Sequence, residues 1–349
     1  MFDSKFSFSN SLEFQNFCRL SSELGQNPLL VQAAGGNTSV KDSGLLWVKA
    51  SGTWLSEATE KKTMVAVDLD KLNEAMAAGD ERAEQPQHFK ADPTDSLRPS
   101  IETVVHASLK HRVVLHVHCV ETISWAVLEN VENLIRAPLK GLNWTFIPYV
   151  RPGLPLARKI QSKISDKTDV LILGNHGLVV AASSLDKAKD LLMEVHHRLH
   201  RLKRDVVIPE GNFAVPDQSN YRLANNFAQG IAHDSNSLEK VKNGSLYPDH
   251  VIFMGSGLQM LESGKSLHQF EKDQSEHLPK ALIVKDRAVL VHKEASRGTD
   301  EMLMSLAEVA ARLQPQDNVH KLSFEDEAAL LNWDAEKYRQ ELARRNANV

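Results

Sequence analysis

His116 and His118 stand two apart in Val113-Val114-Leu115-His116-Val117-His118-Cys119-Val120, an apolar run that reads as a β-strand. Side chains two apart on a strand leave from one face. A rise of about 3.3 Å per residue puts their Cβ atoms roughly 7 Å apart, within reach of one shared ion. His176 lies in Gly174-Asn175-His176-Gly177, a turn between two strongly apolar strands at 169–173 and 178–181. Packing gives no reason for a polar residue there, and a turn at strand ends can project an imidazole into a cleft. Three imidazoles and one open position form the donor set of a catalytic zinc site. Neutral imidazole suits Zn²⁺ or another divalent transition metal. The chain holds 15 histidines and only two cysteines, Cys18 and Cys119, so imidazole and carboxylate must supply the ligands of any such metal. By strand alternation Cys119 points the other way, as a packed thiol.

Glu102 reads in two ways. In the first turn of a helix over residues 100–110, with Ser100 as N-cap, its carboxylate complements the helix dipole. Beside a metal it is a general base, its pKa raised by partial burial. Gly35-Gly36-Asn37-Thr38-Ser39 is a tight turn or an anion nest, with Ser51-Gly52 and Ser100 as further donors. It is neither a Walker A loop nor a G-x-G-x-x-G fingerprint, so no nucleotide is read into it. His196, His197 and His200 share a helix with Arg198 and lack the acid of an H-E-x-x-H motif, which makes them a solvated face. His250, just before an expected strand at 251–254, reads either as an ordinary packed residue or as one that enters a cleft between the domains.

The elements that position these residues follow from periodicity and turn chemistry. Residues 12–24 form an amphipathic helix ending near Gly25, and 45–49 and 63–67 are strands. Residues 79–99 are a long polar loop, 145–150 a short strand, and 184–204 a helix N-capped by Ser184. Residues 209–221, with two prolines, form a linker. Beyond it come a hairpin at 281–284 and 288–291, a helix at 299–313 and another at 323–342. A division into residues 1–208 and a smaller α/β domain at 209–349 follows, in line with about 150 residues per domain in a chain of 349.

Lys and Arg number 41 against 45 Asp and Glu, a net charge of −4, so no basic footprint suggests nucleic acid. The N-terminus does not read as a secretory signal, and the most apolar run, 170–182, is too short and too polar in its middle to span a bilayer. A cytoplasmic protein without membrane contact is expected.

Taken in order, Gly35-Gly36-Asn37-Thr38-Ser39, Ser51-Gly52, Pro99-Ser100-Ile101-Glu102, His116-Val117-His118 and Asn175-His176-Gly177 resemble the class II aldolase/adducin family over about residues 10–205. The resemblance implies a three-layer α/β/α domain around a central, largely antiparallel sheet, assembled as a homo-oligomer, typically a tetramer. It implies Zn²⁺ on His116, His118 and His176, with Glu102 as acid/base. Gly36, Asn37, Ser51, Gly52 and Ser100 would line the substrate phosphate pocket. Tyr149, in Ile147-Pro148-Tyr149, would be the tyrosine that the aldolases deliver across a subunit interface to protonate the aldehyde oxygen. The implied activity is a metal-dependent lyase that cleaves a ketose, a ketose 1-phosphate, by retro-aldol chemistry through a metal-stabilised enediolate. Its partner is then a small-molecule sugar or sugar phosphate. The alternatives are an epimerase or decarboxylase acting on a sugar (acid) phosphate, and a non-catalytic adducin-like assembly module. Where the short aldolases carry a second serine before the glutamate, this chain has Ile101. In its length and in Arg98-Pro99-Ser100-Ile101-Glu102-Thr103 it is more similar to the aldolase portion of longer rhamnulose-phosphate aldolase/alcohol dehydrogenase proteins.

Overall fold

A computed structural model describes residues 4–208, 213–262, 264–274 and 277–332. They cluster into two compact units. One comprises the chain up to Thr122 with Glu132–His200; the other comprises Ile123–Val131 with the chain from Arg201 onward.

In the first unit the strands are β1 (Asn37–Asp42), β2 (Leu45–Lys49), β3 (Met64–Asp68), β4 (Val113–Val117), β5 (Trp144–Ile147), β6 (Val170–Leu173) and β7 (Gly177–Ala182). They form one seven-stranded sheet in the order β3-β2-β1-β4-β7-β6-β5. Every neighbouring pair is antiparallel except β5 and β6. A parallel pair needs a crossover between its strands. The helices of the unit are α1 (Leu12–Gln26), α2 (Leu69–Ala77), α3 (Thr103–Ser108), α4 (Val120–Ala126), which continues into the second unit, α5 (Val131–Ile135), α6 (Leu154–Gln161) and α7 (Leu185–Arg198), with α6 as that crossover.

Alternation along the strands divides the helices between the two faces. Leu46, Val48, Val114, Leu171 and Val179 pack with Val104, Val105, Leu156 and Ile160, so α3 and α6 cover one face, together with Leu72 of α2. On the other, Ser21 Oγ of α1 meets Thr38 Oγ1 at 2.7 Å, and Cys119 Sγ lies 3.3 Å from His196 Nδ1 of α7. Cys119 is thus the packed thiol expected. This is the three-layer, largely antiparallel arrangement the sequence implied. Ser11 caps α1 by accepting from the Phe14 N–H at 3.0 Å, and Ser184 caps α7 by accepting from Lys187 N–H at 3.4 Å. Each such cap stabilises its helix by about 1 kcal/mol.

The second unit has a four-stranded sheet of β8 (Tyr221–Leu223), β9 (Gln259–Met260), β10 (Ala281–Val284) and β11 (Ala288–His292), in the order β8-β11-β10-β9. The β10–β11 pair is the expected hairpin, its turn made by Asp286 at φ 59°. Its helices are α8 (Asn226–His233), α9 (Ser235–Val241), α10 (Pro248–Met254), α11 (Leu267–Asp273), α12 (Arg297–Arg312) and α13 (Phe324–Leu331). Gln229 locks α8 to the sheet: its amide donates to Val289 O at 3.0 Å and accepts from Val289 N–H at 2.8 Å. Residues 123–131 join this unit through the Leu128–Val319 bridge and the bonds Glu129 N–H to Asn318 O and His320 N–H to Val127 O. Arg201 adds a bond to Ser124 O at 2.7 Å and stacks its guanidinium 4.5 Å from the Trp125 ring.

Several sequence expectations are corrected. Residues 251–254 are helical, not a strand. Pro248 opens α10 and Gly255, at φ 94°, closes it, a Pro-then-Gly punctuation that outweighs the β-branched run. The helix expected from Ser100 starts at Thr103, because residues 98–100 are held extended. Ser51 N–H donates to Arg98 O, Ser100 N–H donates to Lys49 O, and Ala50 bridges Pro99. The loop at 79–99 contains two 3-10 turns, Glu81–Glu84 and Pro86–Phe89. Ser323 caps the last helix with a capping box to Asp326, and the part expected over 333–342 lies outside the described residues, as do 209–212 of the expected linker. β1 was hidden by its polar composition, although it lies between β2 and β4.

Candidate metal centre

β1, β4, β7 and the start of α3 build one buried cluster. Register decides the first contacts: Asn37 of β1 is directly opposite His116 of β4, and directly opposed residues project to the same face. His118 follows just past the end of β4. His176 reaches it through the β6–β7 turn, with Asn175 in the left-handed region at φ 51°. That turn lies close against β4, and a Cβ on Gly177 would stand 2.5 Å from Val117 O. Glu102 occupies the N-cap position of α3 without capping it.

The ligand atoms of Glu102, His116, His118 and His176 all lie within 4.8 Å of one another, and all four residues are buried. The imidazole centroids are 4.9 to 5.2 Å apart. His116 Nδ1–H donates to Leu178 O at 3.1 Å, which leaves the Nε2 lone pair facing the cluster, 3.2 Å from His118 Nε2. An outer hydrogen bond of this kind fixes the tautomer of a metal-ligating histidine.

The two oxygens of Glu102 have different surroundings. Oε2 accepts from Asn37 Nδ2–H at 2.8 Å and lies 3.4 Å from His116 Nε2. Oε1 is 3.5 Å from His176 Nε2 and accepts no hydrogen bond among the described residues. A buried carboxylate oxygen without a donor is costly. A divalent cation among the four donors would satisfy it, so the residues fit a metal ion. Burial opposes ionisation of Glu102 and is the largest single influence on it. Together His116, His176 and His118 outweigh that influence and hold the carboxyl well below the usual carboxylate range. The sequence had suggested the reverse direction.

The expected substrate residues gather beside this cluster. Gly36 sits at φ +60°, and a Cβ there would come within 2.9 Å of His116 O, so the loop backbone rests on β4. Lys49, itself buried, ties two loops together: its ammonium donates to Ala34 O and Thr53 O, each at 2.8 Å. Ser51 and Ser100 are adjacent through the Ala50–Pro99 bridge. Their backbone N–H groups are committed to Arg98 O and Lys49 O, and Ser100 Oγ accepts from Glu102 N–H at 3.2 Å. Gly52 has φ +75° in the same loop. Tyr149 is half-buried just after β5, its backbone N 3.0 Å from where a Gly174 Cβ would stand, and it is not among the four clustered residues.

Two residues went unnoticed in the sequence. One is Lys49. The other is His106, four after Glu102 and so on the same helical face; that spacing was the available signal. Among the described residues no second group of ligands gathers. His196 contacts Cys119, and His200 Nδ1 lies 3.2 Å from Glu121 Oε1. His250 is buried inside α10 of the second unit.

Comparison with known proteins places the sequence in a family. The model of the class II aldolase and adducin N-terminal domain matches residues 15–201. The chain is 28% identical over 171 residues to the uncharacterized oxidoreductase YuxG of Bacillus subtilis (strain 168), a match that covers 45% of this chain and only 24% of that protein. It is similar to the N-terminal class II aldolase domain of a conserved protein from Thermoplasma acidophilum, at 24% identity and TM-score 0.48, over 54% of this chain and 92% of that one. L-fuculose-1-phosphate aldolase from Thermus thermophilus is similar at 17% identity and TM-score 0.35, over 54% and 91%. Among the described residues no helix is long and apolar enough to cross a membrane. The family match spans more than half of the sequence, and the chain belongs to the class II aldolase and adducin N-terminal domain family.

Proposed function

We propose that this protein is a metal-dependent lyase that cleaves a ketose, a ketose 1-phosphate, by retro-aldol chemistry. The observation that carries the reading is the convergence of three imidazole nitrogens on a buried carboxylate whose Oε1 accepts no hydrogen bond among the described residues. A divalent ion, Zn²⁺ or a neighbour in the series, would supply Lewis acidity to the hydroxyl and carbonyl oxygens of the sugar.

The chain's own residues do the rest. Glu102 is ionised and starts as a base, with Oε1 as the atom that holds and moves the proton. In cleavage it takes the proton of the C4 hydroxyl, the C3–C4 bond breaks to release the aldehyde, and the proton returns to C3. No net proton is gained or lost. Asn37 holds Oε2 in place, and burial excludes water from the carboxylate. The hydroxyls of Ser51 and Ser100, with the backbone at Gly36 and Gly52, bind the anionic end of the substrate. Tyr149, contributed across an interface of a homo-oligomer, relays the C4 hydroxyl proton: its hydroxyl accepts it while passing its own to Glu102 in cleavage, and the same exchange runs backward to the aldehyde oxygen in condensation.

The test is a panel of ketose 1-phosphates incubated with metal-loaded protein. Dihydroxyacetone phosphate and an aldehyde are expected from one of them, and Glu102→Gln is expected to lower kcat by about 10²- to 10⁴-fold. A product of unchanged formula with one inverted hydroxyl would replace the lyase by an epimerase. Full turnover in Glu102→Gln would remove the acid/base role.

A further inference from the structure

Behind Glu102 a chain of buried polar groups runs away from the cluster. Asn37 Nδ2–H donates to Glu102 Oε2, and Asn37 Oδ1 is hydrogen-bonded to His106 Nε2. His106 Nδ1 lies 2.7 Å from Ser39 Oγ. His106 and Ser39 are both 0% exposed, and Asn37 is 3% exposed. These three residues come from β1 and α3: Asn37 and Ser39 alternate on one face of the strand, and α3 lays His106 over that face.

The polarity of the chain is forced by its ends. A carboxylate only accepts, so Asn37 must present its NH₂ to Glu102 and its carbonyl oxygen to His106. A carbonyl oxygen also only accepts, so His106 Nε2 must carry the proton. Burial keeps His106 neutral, pushing it down from 6.5 to about 3. A neutral imidazole protonated at Nε2 has an acceptor at Nδ1, and Ser39 Oγ–H fills it. All the hydrogen bonds therefore point toward Glu102.

We infer that His106 is a positioning residue: through Asn37 it locks the Glu102 carboxylate by Oε2 and leaves Oε1 as the oxygen available to the metal or to a proton. Without the Nε2–H donor the Asn37 amide is free to flip, and a flipped amide sets its oxygen against the carboxylate. The inference rests on the proposed metal site and on Glu102 as its carboxylate. It adds that the orientation of this group is set 69 residues away in sequence from Asn37, by a histidine that touches neither metal nor substrate.

The test compares His106→Leu with His106→Gln in the full chain, stripped of metal and titrated with Zn²⁺ against a chelating dye. Glutamine retains a donor and an acceptor, whereas leucine fills the space alone. A packing role would favour leucine; a positioning role favours glutamine. Loss of an outer hydrogen bond of this kind typically costs 10- to 100-fold in metal affinity or activity, and that loss is expected for His106→Leu. His106→Gln is expected to stay within about threefold of the parent, because its amide reproduces both hydrogen bonds. Asn37→Leu cuts the same chain one link nearer the carboxylate and serves if His106→Leu does not fold. Its loss should match, and the double variant should be no weaker than either single one, the signature of a shared chain. Parent-like Zn²⁺ affinity in His106→Leu or in Asn37→Leu overturns the inference while leaving the metal site standing. Failure of the parent chain to bind Zn²⁺ overturns both.

Discussion

His106 in the first unit and His250 in the second are both wholly buried, and burial pushes both imidazoles from 6.5 down to about 3. Their surroundings differ. Both nitrogens of His106 are hydrogen-bonded in a chain that ends on Glu102, beside three more imidazoles. His250 accepts only from Leu246 N–H, at 3.3 Å, and its Nε2 has no partner among the described residues. Burial is common to the two sites, so it does not make a histidine part of a reactive centre. What separates them is a directed path of donors and acceptors to a carboxylate that other imidazoles share.

The largest expected effect tests that contrast directly. His116→Ala removes a ligand whose tautomer is already fixed by Leu178 O. It is expected to lose bound Zn²⁺ and to lower turnover at least about 10²-fold, as loss of a centre that stabilises developing charge does. His250→Asn is expected to leave both unchanged. Metal content by elemental analysis and kcat on the same preparations decide it, and a loss of metal in His250→Asn would break the comparison.

A smaller effect is expected from the strand packing that brings His176 to the cluster. In Gly177→Ala the added methyl meets Val117 O at 2.5 Å. Overpacking of this kind costs about 1–3 kcal/mol. A lower urea midpoint with weakened Zn²⁺ binding is the expected outcome; parent values for both would show that β7 can withdraw from β4 without consequence.

The smallest effect concerns pH. His250 titrates near 6.5 when unfolded and near 3 when folded, so between these values the unfolded chain binds the extra proton. Its contribution to stability is therefore complete above 6.5 and falls as pH drops toward 3, with a slope of up to about 1.4 kcal/mol per pH unit. His250→Asn keeps an acceptor for Leu246 N–H and removes the titration. Its urea midpoint should fall less steeply than the parent's between pH 6.5 and 4.5. Equal slopes would mean that His250 does not stay neutral in the folded protein.

Much of the first unit was legible because its signals are local. The apolar runs at β4, β6 and β7, the turn around His176 and the Ser184 cap could be read directly. β1 escaped because Asn37, Thr38, Ser39, Lys41 and Asp42 carry none of the hydrophobicity expected of an inner strand. Their polar groups are satisfied by partners distant in sequence: Thr38 by Ser21, Ser39 by His106, Asn37 by Glu102 and His106. In the second unit the run Val251-Ile252-Phe253-Met254 misled, because apolar periodicity over four residues cannot separate a short strand from a buried helix. The pairing of residues 127–129 with 318–320 had no local signal at all.

The sequence by itself determined the donor set. Imidazoles at 116, 118 and 176, a carboxylate at 102 and almost no thiols restrict the metal chemistry, since ligand type follows from side-chain chemistry alone. The tertiary structure decided how the set is arranged. Strand register puts Asn37 opposite His116, the close approach at Gly177 brings in His176, and the fold of α3 over β1 places His106 behind Asn37. It also reversed the expected direction of the Glu102 pKa shift, because how readily a buried carboxyl ionises depends on which groups surround it, and those lie up to 74 positions away in the chain. Distances of that kind are set by packing, and no spacing in the sequence encodes them.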